Sequence, residues 1–131
     1  MTDIMKLDWN LEPLADGLQC YQRQEFFLAH EHWEIVWLEC QEPEKSFLQA
    51  LIQMAAAFHH LQRNNLRGAA SLLNAALRKL ESYPAFFAGV EVRSLREEVM
   101  AWLPMLGAHD SPVHPPFPEI RLHLPPKEPG E

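Results

Sequence analysis

Three ionisable side chains stand in the two most apolar stretches of the sequence. His30 and Glu34 are four residues apart, which puts both on one face of a helix, and His59 interrupts an apolar face of the next helix. Two imidazoles and one carboxylate can hold a divalent transition metal and leave positions open for water or substrate. They can also act in general acid–base catalysis. The pattern predicts that the three side chains meet if the two helices pack antiparallel.

The same residues also have a purely structural interpretation. Polar groups enclosed by apolar helices are normally hydrogen-bonded, so Glu34 and the two histidines can form a buried network that fixes how the helices pair. The His-x-x-x-Glu spacing lacks the second histidine of a HExxH metalloprotease, and His59 lies on another element. Glu31 and His60 are further candidates, because either side chain could assist the reaction of a substrate bound at the metal. No cofactor is required by the sequence, and a divalent transition metal is the one candidate.

Five helices are predicted to position these residues. The first four predicted segments are 11–21, 25–39, 44–63 and 66–83, and the fifth begins after Gly89 and is ended by Pro104 and Gly107. The second and third helices are the central ones. The second is apolar around most of its circumference, and we predict that both central helices are buried. Short connections favour antiparallel neighbours. The predicted fold class is therefore all-α, a compact bundle of about five helices arranged as antiparallel helical hairpins.

The end of the chain differs in composition from the rest. Seven prolines after residue 107 exclude a long helix and favour extended geometry. We therefore expect one all-helical domain over residues 1–107 and a Pro-rich tail over 108–131. Phe117 and the alternating Ile120, Leu122 and Leu124 are apolar, so part of the tail is expected to lie along the bundle.

Charge and composition restrict the partners. The net charge of -7 disfavours nucleic acid, because such binding depends on Lys and Arg that neutralise phosphates. The sequence has no apolar run long enough for a bilayer and no secretory signal at its start. Cys20 and Cys40 lack the paired spacing of a zinc ribbon or a CxxC site. These features predict a cytoplasmic protein that binds neither nucleic acid nor membrane.

Two segments carry a resemblance to a known family. The motifs are EFFLAHEHWEIVW at 25–37 and FLQALIQMAAAFH at 47–59. In order and separation they resemble the family called domain of unknown function 309, and the resemblance covers about residues 18–103. It implies a compact all-α domain with no established activity. The family's characteristic polar positions fall on His30, Glu31, Glu34 and His59.

The chain departs from the family pattern at one turn. The family often has Asn-x-Gly before the aromatic pair, where this chain has Gln22-Arg23-Gln24. Because glycine enters left-handed backbone conformations without steric cost, its loss implies a less sharply defined turn between the first two helices.

Two functions are open at this point. The leading expectation is a non-catalytic module with a buried His/Glu network that binds a protein partner or self-associates, in which the apolar tail docks on a neighbour. The alternative is a small metal-dependent enzyme, hydrolase-like, that uses His30, Glu34 and His59 as ligands.

Overall fold

Helices make up most of the part of the chain that the structure, a computed structural model, describes: residues 7–106 and 114–123. The elements are α1 (Leu14–Gln22), α2 (Phe26–Trp37), α3 (Glu44–Gln62), α4 (Leu66–Leu80), β1 (Phe86–Phe87), β2 (Val90–Glu91) and α5 (Val92–Leu106). Each helix contacts the next along the chain. The predicted all-α class and the five helices are therefore confirmed.

Two tight turns of the same kind fold α2 back on α1 and α4 back on α3. Gln24 and Asn64 both adopt left-handed backbone at φ 64°. The next N–H in each turn, of Glu25 or Asn65, donates to a carbonyl five residues back, at 2.8 Å in both. This is the bonding of a Schellman motif, which satisfies the last carbonyls of a helix. The first turn keeps this sharp geometry although glutamine stands where the family often has glycine.

The core is centred on α3. Its buried residues are Phe47, Leu48, Ala50, Leu51, Ile52, Met54, Ala55, Ala57 and Phe58. The prediction that this helix is interior is confirmed. The same prediction for α2 is wrong, because only Phe26, Ala29 and Trp33 of that helix are buried. With α1 and α3 as its main neighbours, α2 has one side against the protein and leaves the other in solvent.

Residues 114–123 of the tail pack on the bundle through aromatic contacts. The Phe117 ring centre lies 5.0 Å from those of Phe26 and Phe58 and 5.3 Å from that of Trp102. Ile120 is buried as well. The expectation that part of the tail lies along the bundle is thus confirmed. Leu124 and the proposed boundary at residues 107 and 108 lie outside the described residues.

Hydrogen bonds to backbone carbonyls hold the tail in place. The Tyr21 hydroxyl donates to the carbonyl of Pro118 at 2.6 Å, and the Trp102 indole N–H donates to that of Pro116 at 2.9 Å. Proline carbonyls accept normally, although proline has no N–H to donate. The Pro-rich composition therefore suits a segment that is held through its acceptors.

The short hairpin between α4 and α5 was not predicted. Its two turn residues, Ala88 and Gly89, both have positive φ, at 53° and 78°. Positive φ at both central residues is the geometry of a type I′ turn, which matches the twist of paired strands. Leu122 of the tail adds an antiparallel bridge to Val90.

Of the two residues predicted to end the fifth helix, Pro104 does not end it, because α5 continues through it to Leu106, and Gly107 lies outside the described residues. Pro104 lies in the last turn, so its missing N–H removes one helical hydrogen bond near an end that frays in any case.

In the described residues, none of the helices is both long and apolar enough to span a membrane.

Candidate functional site

The predicted site residues lie at the surface where α2 meets α3. Nε2 of His30 is 3.5 Å from Oε2 of Glu34, one helical turn away. The ring of Phe27 contacts both imidazoles, with its centre 5.7 Å from that of His30 and 5.1 Å from that of His59. The structure therefore joins His30 to Glu34 and places His59 against the same phenylalanine. Glu31 is exposed one turn along α2 from Phe27.

The expected burial of this cluster is wrong. The His30 side chain is 24 % exposed and that of Glu34 is 52 % exposed. No polar or charged residue is buried anywhere in the described ranges. Nδ1 of His30 is enclosed by protein and has no hydrogen-bond partner there. The physical reason is the position of α2, since a helix packed on one side only leaves Glu34 in solvent.

Among the described residues, the structure shows no preformed metal site of the kind that the metal hypothesis predicts. In residues 7–106 and 114–123, which include all the candidates, no three His, Cys, Asp or Glu side chains are grouped closely enough to hold an ion. His30 and Glu34 supply two ligands, and His59 lies against the Phe27 ring.

His60, the assisting residue of the enzyme hypothesis, has a structural contact. Its Nδ1 is 3.0 Å from Nδ2 of Asn65, whose Oδ1 accepts the N–H of Gly68 at 3.0 Å. Asn65 is the N-cap of α4, where a side-chain oxygen satisfies an otherwise unpaired helix N–H. His60 thus orients the cap between α3 and α4.

The environment of His59 favours its neutral form. Burial lowers the pKa of the His59 imidazole, and the positive charge of Arg63 lowers it further. A neutral imidazole can accept a hydrogen bond or a proton. His59 is therefore a weak contributor of positive charge to this surface at neutral pH.

A feature that the sequence reasoning missed lies on the solvent side of α2. Four large apolar residues are exposed there: Phe27 (47 %), Leu28 (45 %), Ile35 (56 %) and Leu38 (69 %). At 100° per residue they fall within one arc of the helix together with Glu31 and Glu34. We call these six residues the outer face of α2.

Acidic groups surround and divide the outer face. Glu25 and Glu39 are exposed at its two ends, and Glu31 and Glu34 are exposed in its middle. The segment 25–39 contains no Lys or Arg. Lys45, on α3, lies with Nζ 4.3 Å from the centre of the Trp37 ring, beside the face. The outer face is therefore apolar at its ends and negative in its middle.

The signal for this face was present in the sequence. Phe26, Ala29 and Trp33 fill the stripe that a one-sided helix buries, and the remaining apolar residues exceed that stripe. An excess of this kind predicts burial on all sides. Exposure of the excess is the other possible outcome, and only the packing of the neighbouring helices decides between them.

A cleft of about 860 Å³ lies elsewhere, between the tail and the ends of α1, α3 and α5. Tyr21, Trp102, His114, Phe117 and Glu119 are part of its lining. None of the four candidate polar residues lines it. The cleft and the α2–α3 cluster are separate features.

Comparison with known proteins agrees with the motifs. An uncharacterized protein of Aquifex aeolicus (strain VF5) is 31% identical to this chain over 93 residues. The alignment covers 68% of this chain and 28% of the Aquifex protein, so the chain corresponds to little more than a quarter of that relative. The model of one family matches residues 14–72, from the start of α1 into α4. The matching model is that of the family described as domain of unknown function (DUF309), the family that the motifs predicted.

Proposed function

We propose that this domain is a non-catalytic interaction module that docks a partner protein through the outer face of α2. The observation that carries the proposal is the presence of four exposed large apolar residues within one arc of α2 and its C-cap, Leu38. Single exposed apolar residues are common, but several large ones gathered on one side of a helix form the kind of exposed apolar surface that is typical of an interaction site. These side chains are already about half buried, so covering the rest of one is worth roughly 1–2 kcal/mol.

The packing of the tail supports α2 as the docking element. The apolar residues Phe117 and Ile120 lie on the domain's own core. A tail that binds its own bundle offers these residues to no neighbour. The interaction module expected from the sequence therefore remains the leading hypothesis, but its docking element is α2 and not the tail.

The test compares proteins recovered from cells by three tagged versions of the full chain. Leu28→Ser with Ile35→Ser removes two exposed apolar side chains from the outer face. The matched control, Leu11→Ser with Met100→Ser, removes two side chains that are similarly exposed, at 60 % and 52 %, outside α2. We expect the wild type and the control to recover the same partners and the α2 variant to lose them. Equal recovery by all three would contradict the proposal.

A cytoplasmic location is part of this proposal. Its support is chemical, since Cys20 and Cys40 are both free thiols and burial raises the pKa of each thiol, which keeps it protonated. Protonated, unpaired thiols suit a reducing compartment.

A hydrolase-like metal enzyme is the second candidate function. The observation that favours it is the 3.5 Å approach of His30 to Glu34, with His59 on the same Phe27 ring. Metal binding would need His59 to leave that ring and join the pair. Zinc binding that depends on His59 is the measurement that distinguishes this candidate from the interaction module.

A further inference from the structure

We infer that the outer face of α2 binds an amphipathic helix that carries Lys or Arg between its apolar residues. The inference rests on the proposed docking function and names the partner for that same surface. Its observations are the spacing of the exposed residues and the position of the carboxylates among them.

The spacing on the outer face suits a helical partner. Phe27, Glu31, Glu34 and Leu38 follow one another at intervals of four, three and four residues. This is the spacing of the contact line between two helices that pack side by side. At 1.5 Å per residue, the 12 residues of α2 present a line of about 18 Å, which is enough for three turns of a partner.

The polarity of the side chains along this line changes from its ends to its middle. Phe27 and Leu38 are apolar at the two ends, and Glu31 and Glu34 stand between them. Leu28 and Ile35, seven residues apart, border the line on one side with further apolar surface. A partner therefore needs apolar side chains toward its ends and groups in its middle that satisfy two carboxylates.

Cations are the groups that meet this requirement. Covering a carboxylate without a partner is unfavourable, because the charge loses its hydration. Lys and Arg replace that hydration with charge-assisted hydrogen bonds. The segment 25–39 has four Glu and no Lys or Arg. Lys45 of α3 lies over the Trp37 ring. Of the two carboxylates, His30 contacts only that of Glu34, so the partner has to supply cations for both.

The same charges disfavour a second copy of this chain. In an antiparallel pair of α2 helices, Phe27 of each copy lies opposite Leu38 of the other, and Glu31 lies opposite Glu34. In a parallel pair, each glutamate lies opposite its own counterpart. Both arrangements bring carboxylates together at the centre of the contact, and like charges at this position oppose association.

The direct test uses the full chain and a synthetic probe. The probe is a fluorescent peptide of about 14 residues, four helical turns, with Leu and Lys at amphipathic spacing. Its control has Glu in place of every Lys. Anisotropy titrations at about 20 mM and 200 mM salt should show binding of the Lys peptide that weakens with salt, because salt screens exposed charges. The Glu peptide should bind at least tenfold more weakly (about one order of magnitude in Kd).

Variants of the chain locate the interaction. Glu31→Gln with Glu34→Gln should weaken binding of the Lys peptide by about fivefold or more, a typical effect of removing contacts at the centre of an interface. The control, Glu81→Gln with Glu97→Gln, removes the same charge from two exposed positions outside α2 and should leave binding unchanged. Equal weakening by both pairs would overturn the inference, since it would show a response to net charge alone.

The remaining outcomes separate this inference from the proposed function. In one outcome, Leu28→Ser with Ile35→Ser abolishes recovery of cellular partners, but the Glu31 and Glu34 variant retains them and the Glu peptide binds as well as the Lys peptide. That outcome would support the docking function and contradict a cationic partner. A dimer of the full chain in sedimentation that the Leu28 and Ile35 variant loses would assign the face to a second copy and overturn the inference.

Discussion

Replacing Tyr21 by phenylalanine removes one hydroxyl group that links α1 to the tail. The residue is 4 % exposed, and the hydroxyl donates to the carbonyl of Pro118 at 2.6 Å. The sulfur of Met54 is 3.8 Å from the same oxygen. A hydroxyl has one proton, so the shorter contact to Pro118 is the hydrogen bond that matters.

The magnitude follows from what the substitution leaves behind. Tyr21→Phe keeps the ring and its packing but leaves the buried carbonyl of Pro118 without its donor. An unsatisfied buried group of this kind costs about 1–3 kcal/mol. For a chain of this size the loss corresponds to a Tm lower by about 3–6 °C per kcal/mol.

The pH dependence of the difference tests the same hydrogen bond. Burial raises the pKa of the Tyr21 hydroxyl, and the charges of Glu98 and Glu119 raise it further. The unfolded chain ionises near the ordinary tyrosine pKa of about 10. Tyr21 therefore stabilises the fold fully below that pH, and the contribution falls by about 1.4 kcal/mol by pH 11. The wild type should thus lose its advantage over Tyr21→Phe as the pH rises from 9 to 11.

The assay is urea unfolding of the wild type, Tyr21→Phe and Tyr83→Phe at pH 7, 9 and 11. Tyr83 is the matched control, because its hydroxyl also donates to a proline carbonyl, that of Pro43 at 2.7 Å, but at an exposed position. Water can replace that donor, so we expect Tyr83→Phe to cost about 0.5 kcal/mol or less at pH 7. Equal costs for the two variants at pH 7, or an unchanged Tyr21 difference at pH 11, would refute the reasoning.

Three further predictions concern other parts of the chain. Gln24→Gly should raise the free energy of unfolding by about 1 kcal/mol, because glycine adopts φ near 64° without steric cost, and Asn64→Gly should raise it less, since asparagine tolerates this conformation; urea unfolding measures both. In an NMR titration the pKa of His59 should lie below that of free histidine, and Arg63→Gln should raise it by removing a neighbouring positive charge. Zinc should leave the Tm unchanged, because no three ligands are grouped in the described residues; stoichiometric zinc that His59→Ala releases would instead support the enzyme.

The sequence predicted the helices well because their signals are local. The periodic apolar residues of α3 and the polar turn at Asn64 and Asn65 lie within a few residues of the structure they specify. The hairpin at 86–91 was missed because Ala88 is an unusual residue for a left-handed turn position. Pro104 was misjudged because a proline in the last turn costs a helix far less than one in its middle.

The candidate site shows where local signals end. The four-residue spacing of His30 and Glu34 correctly indicated one helical face, since helical geometry alone determines it. Whether that face is buried depends on which neighbours pack against α2, and their positions follow from contacts that are distant in sequence. The expected burial of Glu34 was therefore wrong, although its pairing with His30 is present.

The sequence by itself determined the family motifs of this protein, its five helices and the turn at Asn64 and Asn65, because backbone propensity and side-chain periodicity act over a few residues. Only the tertiary structure decided which half of the apolar α2 is covered. Phe26 and Phe27 are adjacent and chemically identical, yet one is 1 % exposed and the other 47 %. The positions of α1, α3 and the tail make that difference, and they leave the outer face of α2 to solvent.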